Sequence, residues 1–159
     1  MTPVHHTRAA TLVVRRTIAA PVKAVYRTWT DPELVRQWSW GSRHETLDMT
    51  LDCRVGGAWH HQIKNRDNGE IWSFDGVFQE VLPDRRLVHT FFWRSGSGVV
   101  EGTSLVAIDF ISRGETTTEV IITHSRLEET SRDGTREGWE DILGLVDRLA
   151  RETQARIKP

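Results

Sequence analysis

The stretch GWEDILGLVDRL, residues 138–149, decides the fold. Trp139, Ile142, Leu143, Val146 and Leu149 recur at helical spacing and form one apolar stripe, while Glu140, Asp141, Asp147 and Arg148 lie off it. The spacing predicts a helix that starts between Arg132 and Glu137 and ends near Arg156. Gly138 and Gly144 lower its intrinsic propensity, and each either lets the helix approach a neighbour or leaves open volume. A helix with one apolar stripe must bury it against another apolar layer.

That layer precedes it. Thr11–Ile18 reads as a strand rich in Val, Thr and Ile, stopped at Ala19-Ala20-Pro21. Val22, Val25, Tyr26 and Trp29 then follow helical spacing, with Pro21 suited to a first turn. Thr30-Asp31-Pro32-Glu33 restarts the chain with a capping residue and a proline at the first helical position, and Leu34, Val35 and Trp38 complete a second short helix. From Arg43 the period changes to two. Leu47, Met49, Leu51 and Cys53 alternate with polar residues, and Gly56-Gly57 breaks the run. Trp59, His61 and Ile63 share the next face, and Asn68-Gly69 marks a hairpin. Trp72, Phe74, Gly76 and Phe78 share the face after that, up to the turn Leu82-Pro83-Asp84-Arg85. Strands over Leu87–Arg94, Val99–Ile111 and Thr117–Arg126 follow, joined by the loop Ser95–Gly98 and the turn Arg113-Gly114-Glu115. Short turns join antiparallel neighbours, because parallel strands need long crossovers. The expected class is α+β: a curved antiparallel sheet of about six or seven strands wrapped around a long C-terminal helix, with two short helices after the first strand.

Length and composition narrow the function. The 159 residues suit a single domain, expected over 1–159 with 1–9 flexible. A net charge of −1 argues against nucleic acid or an anionic membrane as partner, since both select a basic surface. No apolar run approaches the roughly 18 residues of a membrane span, and Met1–Arg16 lacks a signal-like apolar stretch. The expectation is a cytoplasmic protein. Cys53 is the single cysteine, which excludes an internal disulfide and a four-cysteine zinc site.

The run Ala20-Pro21-x-x-x-Val25-x-x-x-Trp29-Thr30-Asp31-Pro32-Glu33-Leu34-x-x-x-Trp38 resembles the N-terminal signature of the START-like (SRPBCC, helix-grip) superfamily, and within it the domain named for the heat-shock protein 90 ATPase activator homologues. Asp52-Cys53-Arg54-Val55-Gly56-Gly57-Ala58-Trp59, the Gly76–Val88 segment, and Gly138-Trp139 followed by Ile142-Leu143 and Leu149 are similar to further pieces of that family, in order along the chain. The resemblance implies a cavity between sheet and C-terminal helix and a hydrophobic small molecule as partner. It also implies two alternatives, a cyclase or hydrolase acting on a polyketide-like or aromatic substrate, and a chaperone-associated interaction module. The true activator carries a separate chaperone-contacting domain, for which 159 residues leave no room.

Candidate ligand-binding residues follow from the faces. Trp59, Trp72, Phe74, Phe91, Trp93 and Trp139 fall on the inner strand faces or the helix stripe, joined there by Leu143. Seven tryptophans against one tyrosine suggest a lined space as much as a packed core, because every buried indole N–H needs an acceptor. His61, His89 and His124 sit at inward positions on three strands; each is either a satisfied core histidine or a polar contact for a ligand, and in the enzyme alternative His61 or His124 is the acid or base. No His-x-His spacing, catalytic triad or phosphate loop is legible, and Gly96-Ser97-Gly98 is too short to cradle phosphate, so no catalytic residue, metal or cofactor is expected. Asp75 and Asp109 interrupt apolar strands and are expected to face solvent or pair with an arginine such as Arg54 or Arg86. Trp38 and Trp40 either close one mouth of the cavity or staple the short helices to the sheet. A homodimer through an edge strand or the Trp40 region stays open.

Overall fold

The computed structural model describes residues 9–94 and 100–157. The expected loop at Ser95–Gly98 and most of the expected flexible stretch 1–9 lie outside these residues; Ala9 is the first residue of a strand.

The chain runs β1 (Ala9–Ile18), α1 (Val22–Thr30), α2 (Pro32–Trp38), β2 (His44–Leu51), β3 (Ala58–Asn65), β4 (Ile71–Leu82), β5 (Arg86–Arg94), β6 (Val100–Ser112) and β7 (Thr118–Glu128). A 3-10 turn at Glu129–Ser131 leads into α3 (Arg132–Ile157). The strands form one antiparallel, curved sheet in the order β1-β7-β6-β5-β4-β3-β2. Strands β2 to β7 are a meander of hairpins. The helices α1 and α2 carry the chain from one edge strand, β1, to the other, β2.

Local chemistry sets these boundaries. Asp31 caps α2 by accepting the Glu33 N–H at 3.0 Å, and Pro32 opens the helix where no intrahelical N–H is required. In α3 the expected stripe is the buried one: Trp139, Ile142, Leu143, Val146 and Leu149 join Leu12, Val14 and Ile18 of β1, Val25 and Trp29 of α1 and the inner faces of β5 to β7 in one core. Polar clamps fix its position. Asp147 accepts from Arg16 of β1 at 2.9 Å and from Arg151 at 2.8 Å, and Asp141 accepts the Ser42 N–H at 2.9 Å after α2.

Strict alternation fails at defined points. In β2, Thr46 pairs with Ile63 and Asp48 with Gln62, so Leu47 is an extra residue. The bulge turns Leu47 outward, 42% exposed, instead of inward with Met49 and Leu51. A second irregularity falls between Phe78 and Glu80 of β4, and a third in β7, where two steps of β1 face three of β7 around Arg126. Asp109 pairs with Arg86 at 2.7 Å, as one expected partner, but Asp75 takes His60 at 2.6 Å rather than an arginine.

Gly76 has a steric reason to be glycine. A Cβ there would run into the Thr90 carbonyl oxygen and the Trp59 indole nitrogen, whereas a Cβ on Gly144 meets open space. Gly76→Ala is therefore expected to destabilise the protein by about 2–3 kcal/mol through forced repacking, while Gly144→Ala stabilises it by up to about 1 kcal/mol through helix propensity. Urea unfolding of both variants beside the wild type measures the contrast.

Candidate functional site

A cleft of about 620 Å³ opens between the inner face of the sheet and the N-terminal half of α3. Its wall is aromatic. Trp72 of β4 and Trp93 of β5 stack with ring centroids 5.2 Å apart, and both line the cleft together with Phe74, Phe91, Trp40 and Trp139. The floor of α3 is nearly bare: Gly134 and Gly138, one turn apart, line the cleft with nothing within 4 Å of where a Cβ would stand. These two missing side chains leave the volume that larger residues would occupy. Arg126, Glu128, His44, Ser131 and Thr135 are the polar residues that complete its lining beside Ser104 and His124.

His124 lies in the cleft wall, and its tautomer follows from its partners. The Trp139 indole N–H, which is only a donor, reaches His124 Nδ1 at 3.0 Å, so Nδ1 presents its lone pair. Nε2 then carries the proton and donates to Ser104 Oγ at 2.7 Å, and that hydroxyl donates to the Phe91 carbonyl at 3.3 Å. The relay ties α3 to β7, β6 and β5. His61 repeats the device: Trp40 Nε1 donates to its Nδ1 at 2.8 Å, with Ser39 Oγ 2.9 Å from the same nitrogen. His89 differs, donating Nδ1–H to the Thr90 carbonyl at 2.9 Å.

All three imidazoles are held neutral. Burial pushes His61 and His124 down to about 3 and His89 down to about 4, with a smaller contribution to the first two from His89 nearby. For His124, both nitrogens are engaged within the protein, which leaves no lone pair for acid–base work on a substrate.

The structure divides the ten residues expected from sequence. Trp72, Phe74, Phe91, Trp93, His124 and Trp139 line the cleft. Trp59, His61 and His89 instead surround a separate recess of about 30 Å³ behind Trp40, and Leu143 is buried in the core beneath α3, outside both spaces. Trp59 Nε1 is buried without a hydrogen-bond partner among the described residues. Trp40 is the partition. It packs against Phe74, Phe91, Trp59 and Trp139 at centroid distances of 4.7, 5.0, 5.9 and 5.6 Å, and lines both spaces. Its φ of 55° and the φ of 102° at Gly41 turn the chain sharply after α2 and aim this indole inward. Trp38 is the staple, donating to the Thr28 carbonyl at 2.7 Å.

Of the two readings open for Gly138 in the sequence, the structure takes the open volume; sequence reasoning missed Gly134, one turn earlier, which widens it. It also missed Arg126 and Leu127, because the bulge in β7 is invisible to alternation. Burial pushes the Cys53 thiol up, against a nucleophilic role. Among the described residues no cluster of His, Cys, Asp and Glu is arranged to hold a metal, and no helix is long and apolar enough to cross a membrane.

The neutral histidines make stability depend on pH. Their folded pKa values lie below the 6.5 of a free imidazole, so the unfolded chain binds more protons. Their contribution is complete above about pH 6.5 and is lost as pH falls, at about 1.4 kcal/mol per pH unit for each histidine. Urea midpoints are expected to be flat from pH 8 to 7 and to fall steeply below 6.5, with the slope reduced by about a third in His124→Gln. A profile unchanged down to pH 5 would contradict the burial.

The family described as Activator of Hsp90 ATPase homolog 1-like protein matches residues 19–151. Similar solved structures include an uncharacterised protein from Rhizobium leguminosarum, at 23% identity and a TM-score of 0.79, with 91% of this chain and 96% of that one covered. The AHSA1 protein from Silicibacter pomeroyi is 21% identical with a TM-score of 0.79, covering 92% and 99%. A protein from Nitrosomonas europaea is 23% identical with a TM-score of 0.76, covering 91% and 96%. At these identities the likeness concerns the fold alone. No curated protein matches the chain significantly.

Proposed function

The chain belongs to the Activator of Hsp90 ATPase homolog 1-like family, with the START-like helix-grip fold, and from that premise we propose that it binds a small hydrophobic or aromatic molecule in the cleft between sheet and α3. The whole of residues 1–159 is taken as one such domain, acting in the cytoplasm. The observation that carries this reading is the bare floor opposite an aromatic wall. Gly134 and Gly138 leave open space where side chains would stand, and Trp72, Trp93 and Trp139 offer flat faces to what enters. A volume of about 620 Å³ falls within the range that holds drug-sized ligands.

Binding is favoured over catalysis by the chemistry of the three inward histidines, His61, His89 and His124. A cyclase or hydrolase needs an acid or base within reach of the substrate. The imidazole in the wall, His124, is committed at both nitrogens to Trp139 and Ser104. His61 and His89 belong to the recess behind Trp40.

N-phenyl-1-naphthylamine, a neutral apolar fluorophore, is expected to bind the full chain saturably at one site. Gly138→Leu is expected to weaken this at least about tenfold by filling the cleft, which corresponds to about 1.4 kcal/mol. Because a Cβ at Gly138 meets nothing, the variant is expected to keep its fold, and circular dichroism checks this. Absence of saturable binding, or equal binding by a folded Gly138→Leu, would sink the reading.

A further inference from the structure

The chemistry of the rim narrows the ligand class further. Resting on the cleft reading above, we propose that the ligand is a planar aromatic acid whose carboxylate is held by Arg126 at the mouth while its ring enters among the tryptophans.

The deep wall of the cleft is aromatic, with His124 neutral and the Ser104 hydroxyl engaged in the relay to Phe91, while His44, Ser131 and Thr135 line it from half-buried positions. An ionised group has no partner there and must stay at the mouth. Among the residues lining the cleft, Arg126 and Glu128 are the formally charged ones. They follow His124 along β7 toward the open end, Arg126 first and Glu128 outermost, opposite Ala9 at the strand's end. A ligand with its ring against Trp139 and its polar end outward meets the guanidinium before it meets the carboxylate.

Arg126 is placed by a special backbone. Its φ of 59° lies in the left-handed region, which a long side chain rarely adopts, and it falls within the irregular pairing of β7 with β1. The extra residue lets Leu127 turn inward to 8% exposure while Arg126 still lines the cleft. Regular alternation would place only one of the two on that side. Among the described residues no carboxylate forms an ion pair with Arg126, unlike Arg16, Arg86 and Arg113, which are paired within the chain. Its planar fork of donors matches a carboxylate with two parallel hydrogen bonds. Discrimination is expected to be moderate because the guanidinium is exposed and solvent screens it.

The test is calorimetric titration of the full chain with three compounds sharing one ring: 2-naphthoate, 2-naphthamide and 2-naphthylmethylamine. The readout is the ratio of affinities, whatever each absolute affinity does. The acid is expected to bind about fivefold tighter than the amide at low ionic strength, and the ratio is expected to shrink in added salt. In Arg126→Asn, where asparagine tolerates the left-handed backbone, the ratio is expected to fall to about one. Arg126→Lys is expected to retain part of it. Equal binding of acid and amide by the wild type, or a ratio that survives Arg126→Asn, overturns the assignment and leaves the cleft reading standing. Preference for the amine, lost in Glu128→Gln, overturns it in favour of a cationic ligand. If none of the three binds the wild type, the cleft reading itself has failed.

Discussion

A buried indole N–H can only donate, and three of the tryptophans here find their acceptor on another segment, while Trp59 Nε1 is buried without one among the described residues. This constraint organises the molecule. Trp139 of α3 donates to His124 of β7, Trp40 after α2 donates to His61 of β3, and Trp38 donates to the Thr28 carbonyl of α1. Each bond ties one segment to another, and an apolar face against an apolar face would fix neither rotation nor depth so closely. The cost appears in the histidines, which must stay neutral to accept.

The same bonds decide what the inward histidines are for. Inward-facing imidazoles beside a cleft suggest acid–base chemistry, yet a ring whose nitrogens are both engaged has nothing to exchange with a substrate. In His124 the proton sits on Nε2 and is shared with Ser104, whose own proton goes to the Phe91 carbonyl. The directionality of this relay comes from its ends: an indole at one end can only give, and a carbonyl at the other can only receive. The histidine holds the wall of the cleft in place, and in the proposed reading specificity falls to the cleft's shape and rim.

Helix α3 does two opposed things along its length. From Trp139 to Ala150 it fills the core, with Val146 and Ala150 fully buried. In its first turns it withdraws, because Gly134 and Gly138 present no side chain to the sheet. Each such glycine costs roughly 1 kcal/mol in helix propensity relative to alanine. In the same region Trp40 separates the cleft from the small recess that holds Trp59, His61 and His89, and the left-handed backbone at Trp40 is what turns the indole inward.

The architecture was legible in the amino-acid sequence by itself, since it rests on local signals. Period-two strands end at Gly, Pro and Asn-Gly turns, Asp31-Pro32 opens a helix, and one stripe from Trp139 to Leu149 has to be buried by the sheet. The aromatic and histidine faces followed from the same alternation, and Trp72, Phe74, Phe91, Trp93, His124 and Trp139 do meet at the cleft. Tertiary structure alone decided the rest. Bulges at Leu47 and around Arg126 shift the alternation by one residue, so Leu47 turns outward and Arg126 reaches the rim beside a buried Leu127. The separation of His61 and His89 from His124 depends on where Trp40 inserts, a packing event between residues far apart in sequence. Periodicity reports which side of a strand a residue faces. Which space it faces, and which partner claims its proton, is fixed only when the strands, helices and their indoles pack together.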